Sequence, residues 1–424
     1  MTPARRLRNI VGGSAGNLVE WYDWYAYSAF TLYFAPVFFP EGDRTAQLLS
    51  AAAVFAVGFL MRPVGAWVMG VYADRRGRKA GLTLSVSLMC LGSLLIACTP
   101  SYASIGLAAP ALLLIARMLQ GLSVGGEYGS SAVYLSEMAQ ARNRGFWSSF
   151  QYVTLISGQL IALLVLIGLQ QTLSDEALSA WGWRIPFAIG AGLAVVVFWL
   201  RRGLDETQEF STAAAAAGPR SGIRQLLLGH PRETLTVIGL TAGGTLAFYT
   251  YTTYMQKFLV NTSGFSREAA TEITAAALFC FMLLQPVVGA LSDRIGRKPV
   301  MITFGVLGVA CTWPIMTTLA KVDDPLAAFA LAFAALAIVS GYTAINAVVK
   351  AELFPANIRA LGVALPYAIA AATFGGTAEY VALWLKQAGV ERLYFVYVTG
   401  MIAISLITYV RMRDTKKTSL IGDG

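Results

Sequence analysis

Long runs of apolar residues, separated by short polar loops, make up most of the chain. A helix that crosses a bilayer needs roughly 20 mostly apolar residues, because the hydrocarbon layer is about 30 Å thick. Twelve such runs occur, near residues 10–39, 46–72, 81–99, 108–137, 146–169, 185–204, 234–260, 269–292, 300–319, 325–349, 360–385 and 393–410. The pattern therefore predicts an all-α membrane protein with twelve transmembrane helices.

The composition agrees with a membrane protein and adds a net positive charge. Hydrophobic residues make up 56% of the chain and charged residues 13%, which excludes an ordinary water-soluble surface. The net charge of +9 does not indicate nucleic-acid binding, because the Lys and Arg residues concentrate in alternate loops, among which we count Lys350 and Arg359. Cytoplasmic loops carry such an excess. We therefore expect both termini in the cytoplasm and no nucleic-acid partner.

The longest polar stretch, residues 201–232, divides the chain into two parts with six predicted helices each. It contains the single histidine, His230. We expect an N-terminal six-helix bundle at 1–204, a cytoplasmic linker at 205–232, a C-terminal six-helix bundle at 233–412 and a cytoplasmic tail at 413–424.

Two motifs recur in both halves. The loop after the second helix of each half reads G-V-Y-A-D-R-R-G-R-K at 70–79 and G-A-L-S-D-R-I-G-R-K at 289–298. After the fourth helix of each half, a glutamate precedes an arginine by seven residues, at 137 and 144 and at 352 and 359. The chain is therefore an internal duplication, and transporters built from such repeats bind their cargo at the repeat interface.

The repeated loops suggest a latch that closes one side of the molecule. Glycines let neighbouring helices approach closely, and a carboxylate pairs with arginine or favours a helix N-terminus. The alternative is a merely solvated basic loop. We expect gating or conformational roles for Gly70, Asp74, Arg78, Glu137, Arg144, Arg184, Gly289, Asp293 and Arg297.

The motif G-x-x-x-D-R-x-G-R-K resembles the signature of the major facilitator superfamily. Segments 16–25, 59–65, 117–129 and 181–186 are similar to its metabolite:proton symporter family, and 150–159 and 250–262 to the α-ketoglutarate permease branch of that family. The resemblance runs essentially end to end. It implies a multi-pass transporter of the bacterial inner membrane that takes up a dicarboxylate with protons by alternating access, with α-ketoglutarate as the leading substrate. Citrate, shikimate or a zwitterionic osmolyte remain alternative cargoes.

A few ionisable residues lie far from the ends of the predicted helices. Such residues are costly in lipid and are functional by default. We expect Arg62 and Arg117 to bind the substrate carboxylates, because guanidinium presents a planar fork of donors suited to them. The alternative is that Glu20, Asp23 or Glu127 neutralises each arginine permanently. A direct pair between Asp23 and Arg62 is compatible with their depths.

Proton coupling requires a group that changes its protonation during the cycle. His230 falls in a loop, so a buried carboxylate must serve, and we rank Asp23 first, Glu20 second and Glu127 third. A static ion pair is the alternative for each. The C-terminal half lacks charges at the matching repeat positions, so we place coupling in the N-terminal half. The four cysteines are isolated in apolar helices, which indicates no disulfide or metal site; protons serve as the coupling ion and no other cofactor is expected.

Uncharged polar residues complete the candidate substrate site. Hydroxyl and amide groups inside the helices can hold a keto oxygen or the chain of a short acid, although membrane aromatics more often pack or anchor at the interface. The candidates are Gln151, Gln159, Tyr249, Tyr254 and Tyr367.

Symport suits the movement of an anion into a cell that is negative inside. The cost is about 2.3 kcal/mol per charge at 100 mV, and accompanying protons cancel it. An intramembrane enzyme is disfavoured because no H-E-x-x-H or similar constellation occurs. A transporter-like sensor is disfavoured because no predicted loop is longer than 201–232. We expect a monomer that contacts the lipid bilayer.

Overall fold

The computed structural model describes residues 3–76, 78–125, 127–137, 139–202, 222–355 and 358–421. Within these ranges the side chains of 3–17, 70–71, 73–82, 127, 130–131, 134 and 200–202 also lie outside the description. Every regular element in the described part is helical.

The first six spans are α1 (Pro3–Phe38), α2 (Arg44–Arg76), α3 (Arg78–Cys98), α4 (Ala108–Gly125 and Glu127–Glu137), α5 (Arg144–Thr172) and α6 (Ile185–Arg202). The last six are α7 (Pro231–Tyr251, Met255–Phe258 and Leu259–Ser263), α8 (Arg267–Ile295), α9 (Arg297–Leu319), α10 (Pro325–Thr343 and Asn346–Glu352), α11 (Arg359–Ala370, Ala371–Gly375 and Ala378–Gln387) and α12 (Arg392–Arg411). In the described residues, nine spans are long and apolar enough to cross a membrane, and 83–98 forms a shorter apolar helix.

The twelve predicted spans are confirmed, with ends that differ by a few residues. The apolar pattern did not predict the breaks inside α7, α10 and α11. In α7, regular helix stops at Thr252 and resumes at Met255, next to a run of threonine and tyrosine that favours helix weakly. In α11 the segment Ala371–Gly375 is a π-helix. A π-turn is invisible to hydropathy because it changes hydrogen bonding and not polarity, and such turns are frequent at functional sites.

The two halves repeat the same packing. In the first half α1 contacts α5, α2 contacts α4 and α3 contacts α6; in the second half α7 contacts α11, α8 contacts α10 and α9 contacts α12. Between the halves, α5 packs on α8 and α2 packs on α11. These two contacts are equivalent, because α2 corresponds to α8 and α5 to α11 in the repeat. Residues on α2, α5, α8 and α11 therefore border the interface where a transported molecule passes.

Glycines bring α2 and α4 into backbone contact. A Cβ added to Gly58 would lie 3.2 Å from the carbonyl oxygen of Arg117, and one added to Gly125 would lie 2.9 Å from the nitrogen of Ala66. Such close approach is common between membrane helices. It fixes the relative depth of Arg62 on α2 and Arg117 on α4.

We call the end of the bundle where α1 begins and α12 ends the terminal end, and the opposite end the far end. Spans of odd number run from the terminal end to the far end, and spans of even number run back. A short helix, Ile223–Gly229, precedes α7 at the terminal end, within the predicted linker.

Candidate functional site

Arg62 lies buried near the middle of α2, among aromatic rings. Its guanidinium carbon is 3.9 Å from the ring centroid of Phe59, 4.2 Å from that of Trp24 and 5.2 Å from that of Trp21. Its Nε and Nη2 atoms have no hydrogen-bond partner among the described residues. Ring faces attract the cation but do not neutralise it, so donors remain for an anion.

Arg117 lies fully buried on α4 beside the same tryptophan. Its guanidinium carbon is 4.1 Å from the ring centroid of Trp24 and 4.5 Å from that of Tyr27. Its Nη1 donates to Gln120 Oε1 at 2.6 Å, while Nε and Nη2 have no partner in the described part of the chain. Trp24 thus holds two buried cations, and neither forms an ion pair with a described carboxylate.

A chain of hydrogen bonds connects Arg117 to Asp23. Gln120 Nε2 donates to Ser93 Oγ at 2.9 Å, and Ser93 Oγ donates to Asp23 Oδ2. Asp23 is fully buried, and its Oδ1 atom has no partner among the described residues. Asp23 does not form the direct ion pair with Arg62 that their depths permitted. It is connected instead to Arg117, through Ser93 and Gln120.

The two other candidate carboxylates differ from Asp23. Glu20 is buried, and its Oε1 accepts from Ser85 Oγ at 3.2 Å and from Ser123 Oγ at 3.3 Å, which ties α1 to α3 and α4. Glu127 begins the second segment of α4, but its side chain lies outside the described part.

Two predicted tyrosines approach α2, the span of Arg62, from the second half. Tyr367 lies on α11, which packs on α2, and it stacks on Tyr128 with ring centroids 3.8 Å apart. Tyr249 on α7 packs edge-on against Phe59 at 5.1 Å, and its hydroxyl has no described partner. The structure therefore brings Arg62, Tyr249 and Tyr367 together across the interface between the halves.

The three other candidates are also buried. Tyr254 packs between Phe258 and Tyr394, with centroids at 6.0 and 5.7 Å. Gln151 lies on α5. Gln159 lines a cavity of about 10 Å³, which has room for about one water molecule and none for a dicarboxylate.

Sequence reasoning missed an ion pair in the C-terminal half. Lys257 Nζ on α7 lies 3.1 Å from Glu379 Oε2 on α11, and it also donates to Ser28 Oγ of α1 at 2.5 Å. All three residues are buried. Comparison of the repeats did not pair these residues, because it considered only the positions equivalent to the arginines and carboxylates of the first half.

Lys350 is a second correction. We counted it among loop residues, but the structure buries it completely in the last segment of α10. Its Nζ donates to Tyr128 Oη at 3.0 Å and lies 3.8 Å from the ring centroid of Tyr367. Lys350 lies near the end of a predicted span, where the apolar pattern fits a loop as well as a helix.

At the terminal end, the duplicated glutamate and arginine motifs pair across the halves. Glu137 of the first half pairs with Arg359 of the second. Glu352 of the second half lies 3.9 Å from Arg144 of the first, and 3.5 Å from Arg297. Each motif thus supplies the partner of the other, which holds this end closed.

Asp293 adds a contact between the halves at the start of α5. Its two carboxylate oxygens accept from the backbone nitrogens of Gly145 and Phe146, both at 2.8 Å, and Oδ1 also accepts from Arg297 Nη1 at 2.8 Å. A carboxylate is favourable at a helix N-terminus. Gly70, Asp74 and Arg78, the equivalents in the first copy, have side chains and burial outside the described part.

The segment after α12 folds back onto this network. Asp414 Oδ1 accepts from the backbone nitrogen of Arg297 at 3.1 Å, and Thr415 Oγ1 donates to Glu352 Oε2 at 2.6 Å. The backbone oxygen of Leu420 accepts from Arg359 Nη2 at 2.7 Å. Arg144 Nη1 of the first half donates to Ser419 Oγ at 3.3 Å, so the predicted tail contacts both halves.

The far end is also held closed. Arg267 of α8 lies 3.8 Å from Asp175 of the first half, and its guanidinium carbon lies 4.7 Å from the ring centroid of Tyr33 on α1. Arg184 is half-buried and donates to the carbonyl oxygen of Thr99 at 2.8 Å, so it ties α3 to the start of α6. With both ends closed, the structure is an occluded conformation.

Replacing Gly289 by leucine should open the terminal end. A Cβ at this position would lie 2.6 Å from the carbonyl oxygen of Gly145 in the opposite half. Overpacking costs roughly 1–3 kcal/mol, which shifts a two-state equilibrium about 5- to 150-fold. A cysteine placed at Ser149, with the native cysteines replaced by serine, should react faster with a water-soluble maleimide. Leucine at Gly192, where an added Cβ meets nothing, is the control; equal labelling in both would contradict the prediction.

Comparisons with known proteins agree with this architecture. The model of the sugar (and other) transporter family matches residues 9–217 and again residues 216–422. The α-ketoglutarate permease of Escherichia coli (strain K12) is 57% identical over 414 residues, which cover 97% of this chain and 95% of that protein. The citrate-proton symporter of Klebsiella pneumoniae is 36% identical over 371 residues, which cover 88% of this chain and 83% of that protein.

The fold matches that of a solved transporter. The proton:xylose symporter of the major facilitator superfamily, bound to 6-bromo-6-deoxy-D-glucose, superposes with a TM-score of 0.76 over 98% of this chain and 97% of that chain. At 20% identity this likeness shows the fold alone. The family model, by contrast, matches both halves and confirms the resemblance found in the motifs. The chain therefore belongs to the sugar (and other) transporter family of the major facilitator superfamily.

Proposed function

We propose that this protein takes up a small dicarboxylate, with α-ketoglutarate as the leading substrate, together with protons. The observation that carries the proposal is the pair of buried arginines around Trp24, whose guanidinium groups have donors without a partner among the described residues. Two such cations together attract a carboxylate substrate. The relative with 57% identity is an α-ketoglutarate permease, which supports this choice of cargo.

The proposed setting is the inner membrane of a bacterium, with the terminal end in the cytoplasm. The protein works there as a monomer, and the halves 1–204 and 233–412 rock about the substrate. Opening of the far end separates α1 from α7, where Lys257 meets Ser28. Opening of the terminal end breaks the pairs of Glu137 with Arg359 and of Glu352 with Arg144.

Coupling in this proposal runs from Arg117 to Asp23. A substrate carboxylate that binds Arg117 competes with Gln120 Oε1 for the hydrogen bond that Arg117 Nη1 donates. Gln120 in turn positions Ser93, whose hydroxyl donates to Asp23. Asp23 therefore gains or loses a proton as Arg117 exchanges partners. Because protons cancel the charge of the anion, they remove the cost of moving it against a negative interior.

Transport by purified protein in proteoliposomes tests the proposal. An inward proton gradient should drive saturable accumulation of labelled α-ketoglutarate, with alkalinisation of the outside medium. Liposomes without protein are the control. Absence of transport under an imposed gradient would refute the function.

A citrate carrier is the second candidate, because a citrate-proton symporter is also a relative. A competition panel of citrate, shikimate and betaine against labelled α-ketoglutarate separates the cargoes. We expect unlabelled α-ketoglutarate to compete at the lowest concentration. Stronger competition by citrate would instead identify a tricarboxylate as the substrate.

A further inference from the structure

We propose that Lys350 binds the second carboxylate of the substrate, opposite the first carboxylate, which Arg62 and Arg117 hold together, and thereby sets the preference for dicarboxylates over monocarboxylates. This inference rests on the proposed function and names a residue that specifies its substrate class. It starts from the state of the lysine in the closed structure.

Lys350 is a buried ammonium group without an anionic partner. Its Nζ donates to Tyr128 Oη at 3.0 Å and lies over the ring of Tyr367, and it pairs with no carboxylate of the described residues. The contrast is Lys257, equally buried, which lies 3.1 Å from Glu379. An ammonium group has three donors, and the structure uses one of them on a hydroxyl.

This arrangement leaves the lysine incompletely compensated. Removal of an ammonium ion from water is costly unless an opposite charge and further hydrogen bonds replace the water. The rings of Tyr367 and Tyr128, with centroids 3.8 and 4.9 Å from Nζ, return only part of that cost. A carboxylate that enters beside Lys350 would supply the missing charge and accept its unused donors.

The rings around Lys350 lie on spans that pack against the span of Arg62. Tyr367, over whose ring Lys350 lies, belongs to α11, and α11 packs on α2, which carries Arg62. Arg62 belongs to α2 of the first half and Lys350 to α10 of the second, so a dianion held by both bridges the halves. Tyr128 donates to Asn346 Oδ1 at 3.0 Å while it accepts from Lys350, which fixes the lysine in place.

A bridging dianion also explains why recognition and closure are linked. A monocarboxylate engages the cations of one half only and leaves the other half without a charged contact. A dicarboxylate engages the cations of both halves at once, and therefore stabilises the conformation in which the halves are together. The preference for dicarboxylates over monocarboxylates then depends on Lys350.

The test compares two ligands that differ in one carboxylate. Binding of α-ketoglutarate and of 2-oxopentanoate to purified protein is measured for the wild type, Lys350→Met and Lys350→Arg. We expect Lys350→Met to weaken α-ketoglutarate binding about 10- to 100-fold, the usual size of a charged hydrogen bond. Binding of 2-oxopentanoate should change by less than about 3-fold on the same scale. Lys350→Arg should keep most of the preference.

Lys386→Met is the matched control, because Lys386 pairs with Glu391 near the far end and lies away from the cluster. A Lys350→Met protein that binds α-ketoglutarate with full preference over 2-oxopentanoate would overturn the role of Lys350 while the transport function stands. A wild type that neither binds nor transports α-ketoglutarate would overturn the proposed function itself.

A second measurement needs no substitution and so covers the case in which Lys350→Met does not fold. An amine-reactive reagent is applied to the wild type, and the modification of Lys350 is followed by mass spectrometry. Saturating α-ketoglutarate should slow this modification markedly, whereas saturating 2-oxopentanoate should not. Equal rates with and without α-ketoglutarate would overturn the inference.

Discussion

Arg62→Met should weaken α-ketoglutarate binding about 30-fold to several thousand-fold, because removal of one partner of a buried charged contact costs roughly 2–5 kcal/mol. In the structure the guanidinium is held by Trp24 and Phe59 and has donors without described partners. Among the described residues the side chain has no charge partner, so the expected loss is that of the contact with the ligand. Equilibrium binding by calorimetry on purified protein measures the effect.

Two further variants make the Arg62 result specific. Arg62→Lys should recover only part of the affinity, since an ammonium group lacks the planar fork that matches a carboxylate. Arg184→Met removes an arginine that donates to the carbonyl oxygen of Thr99 near the far end, and it should bind with nearly normal affinity. Wild-type affinity in Arg62→Met would show that the arginine only packs helices.

Asp23→Asn should preserve exchange of α-ketoglutarate but abolish its accumulation. The amide keeps the shape of a side chain that packs tightly against Gly190 and receives a hydrogen bond from Ser93. It cannot take up or release the coupling proton. Counterflow in proteoliposomes without a gradient should continue at a rate near that of the wild type, whereas an imposed proton gradient should no longer drive net uptake.

The other buried carboxylates provide the comparison for Asp23. Glu20→Gln changes a group that accepts hydrogen bonds from Ser85 and Ser123, and Glu379→Gln changes the partner of Lys257. We expect gradient-driven accumulation to persist in both, at a reduced rate in Glu379→Gln because Lys257 loses its partner. Accumulation that persists in Asp23→Asn and disappears in Glu379→Gln would move proton coupling to the C-terminal half.

The sequence predicted the spans and the deep charges well, because both depend on local properties. The run at 300–319 became α9 (Arg297–Leu319) since span length and hydropathy alone set its limits. Arg62, Arg117 and Asp23 were found for a similar reason: lipid makes an ionisable residue conspicuous wherever it occurs.

Local sequence patterns could not show which residues contact those charged side chains. Ser93 joins Asp23 to Gln120, yet a serine in an apolar helix carries no signal of its own. Which residues meet across two helices depends on their rotation and relative depth, and these follow from packing over the whole bundle. The pair of Glu137 with Arg359 shows the same limit, because the repeat revealed both motifs but not their exchange of partners between halves.

Sequence patterns misplaced Lys350 and did not reveal the partner of Lys257. Lys350 lies near the end of α10, where counting basic residues by loop assigned a buried cation to the water side. Lys257 of α7 pairs with Glu379 of α11. A comparison of the repeats could not reveal this pair, because it asked only where the arginines and carboxylates of the first half recur.

The central claim is that substrate binding at the buried arginines changes the protonation of Asp23 through Gln120 and Ser93. Calorimetric titration of α-ketoglutarate into purified protein, in two buffers that differ in ionisation enthalpy, counts the protons taken up on binding. Reciprocal coupling requires that the ligand promote proton binding if protons promote ligand binding. We predict proton uptake by the wild type and none by Asp23→Asn with its ligand site intact. The same uptake in both proteins would contradict the account.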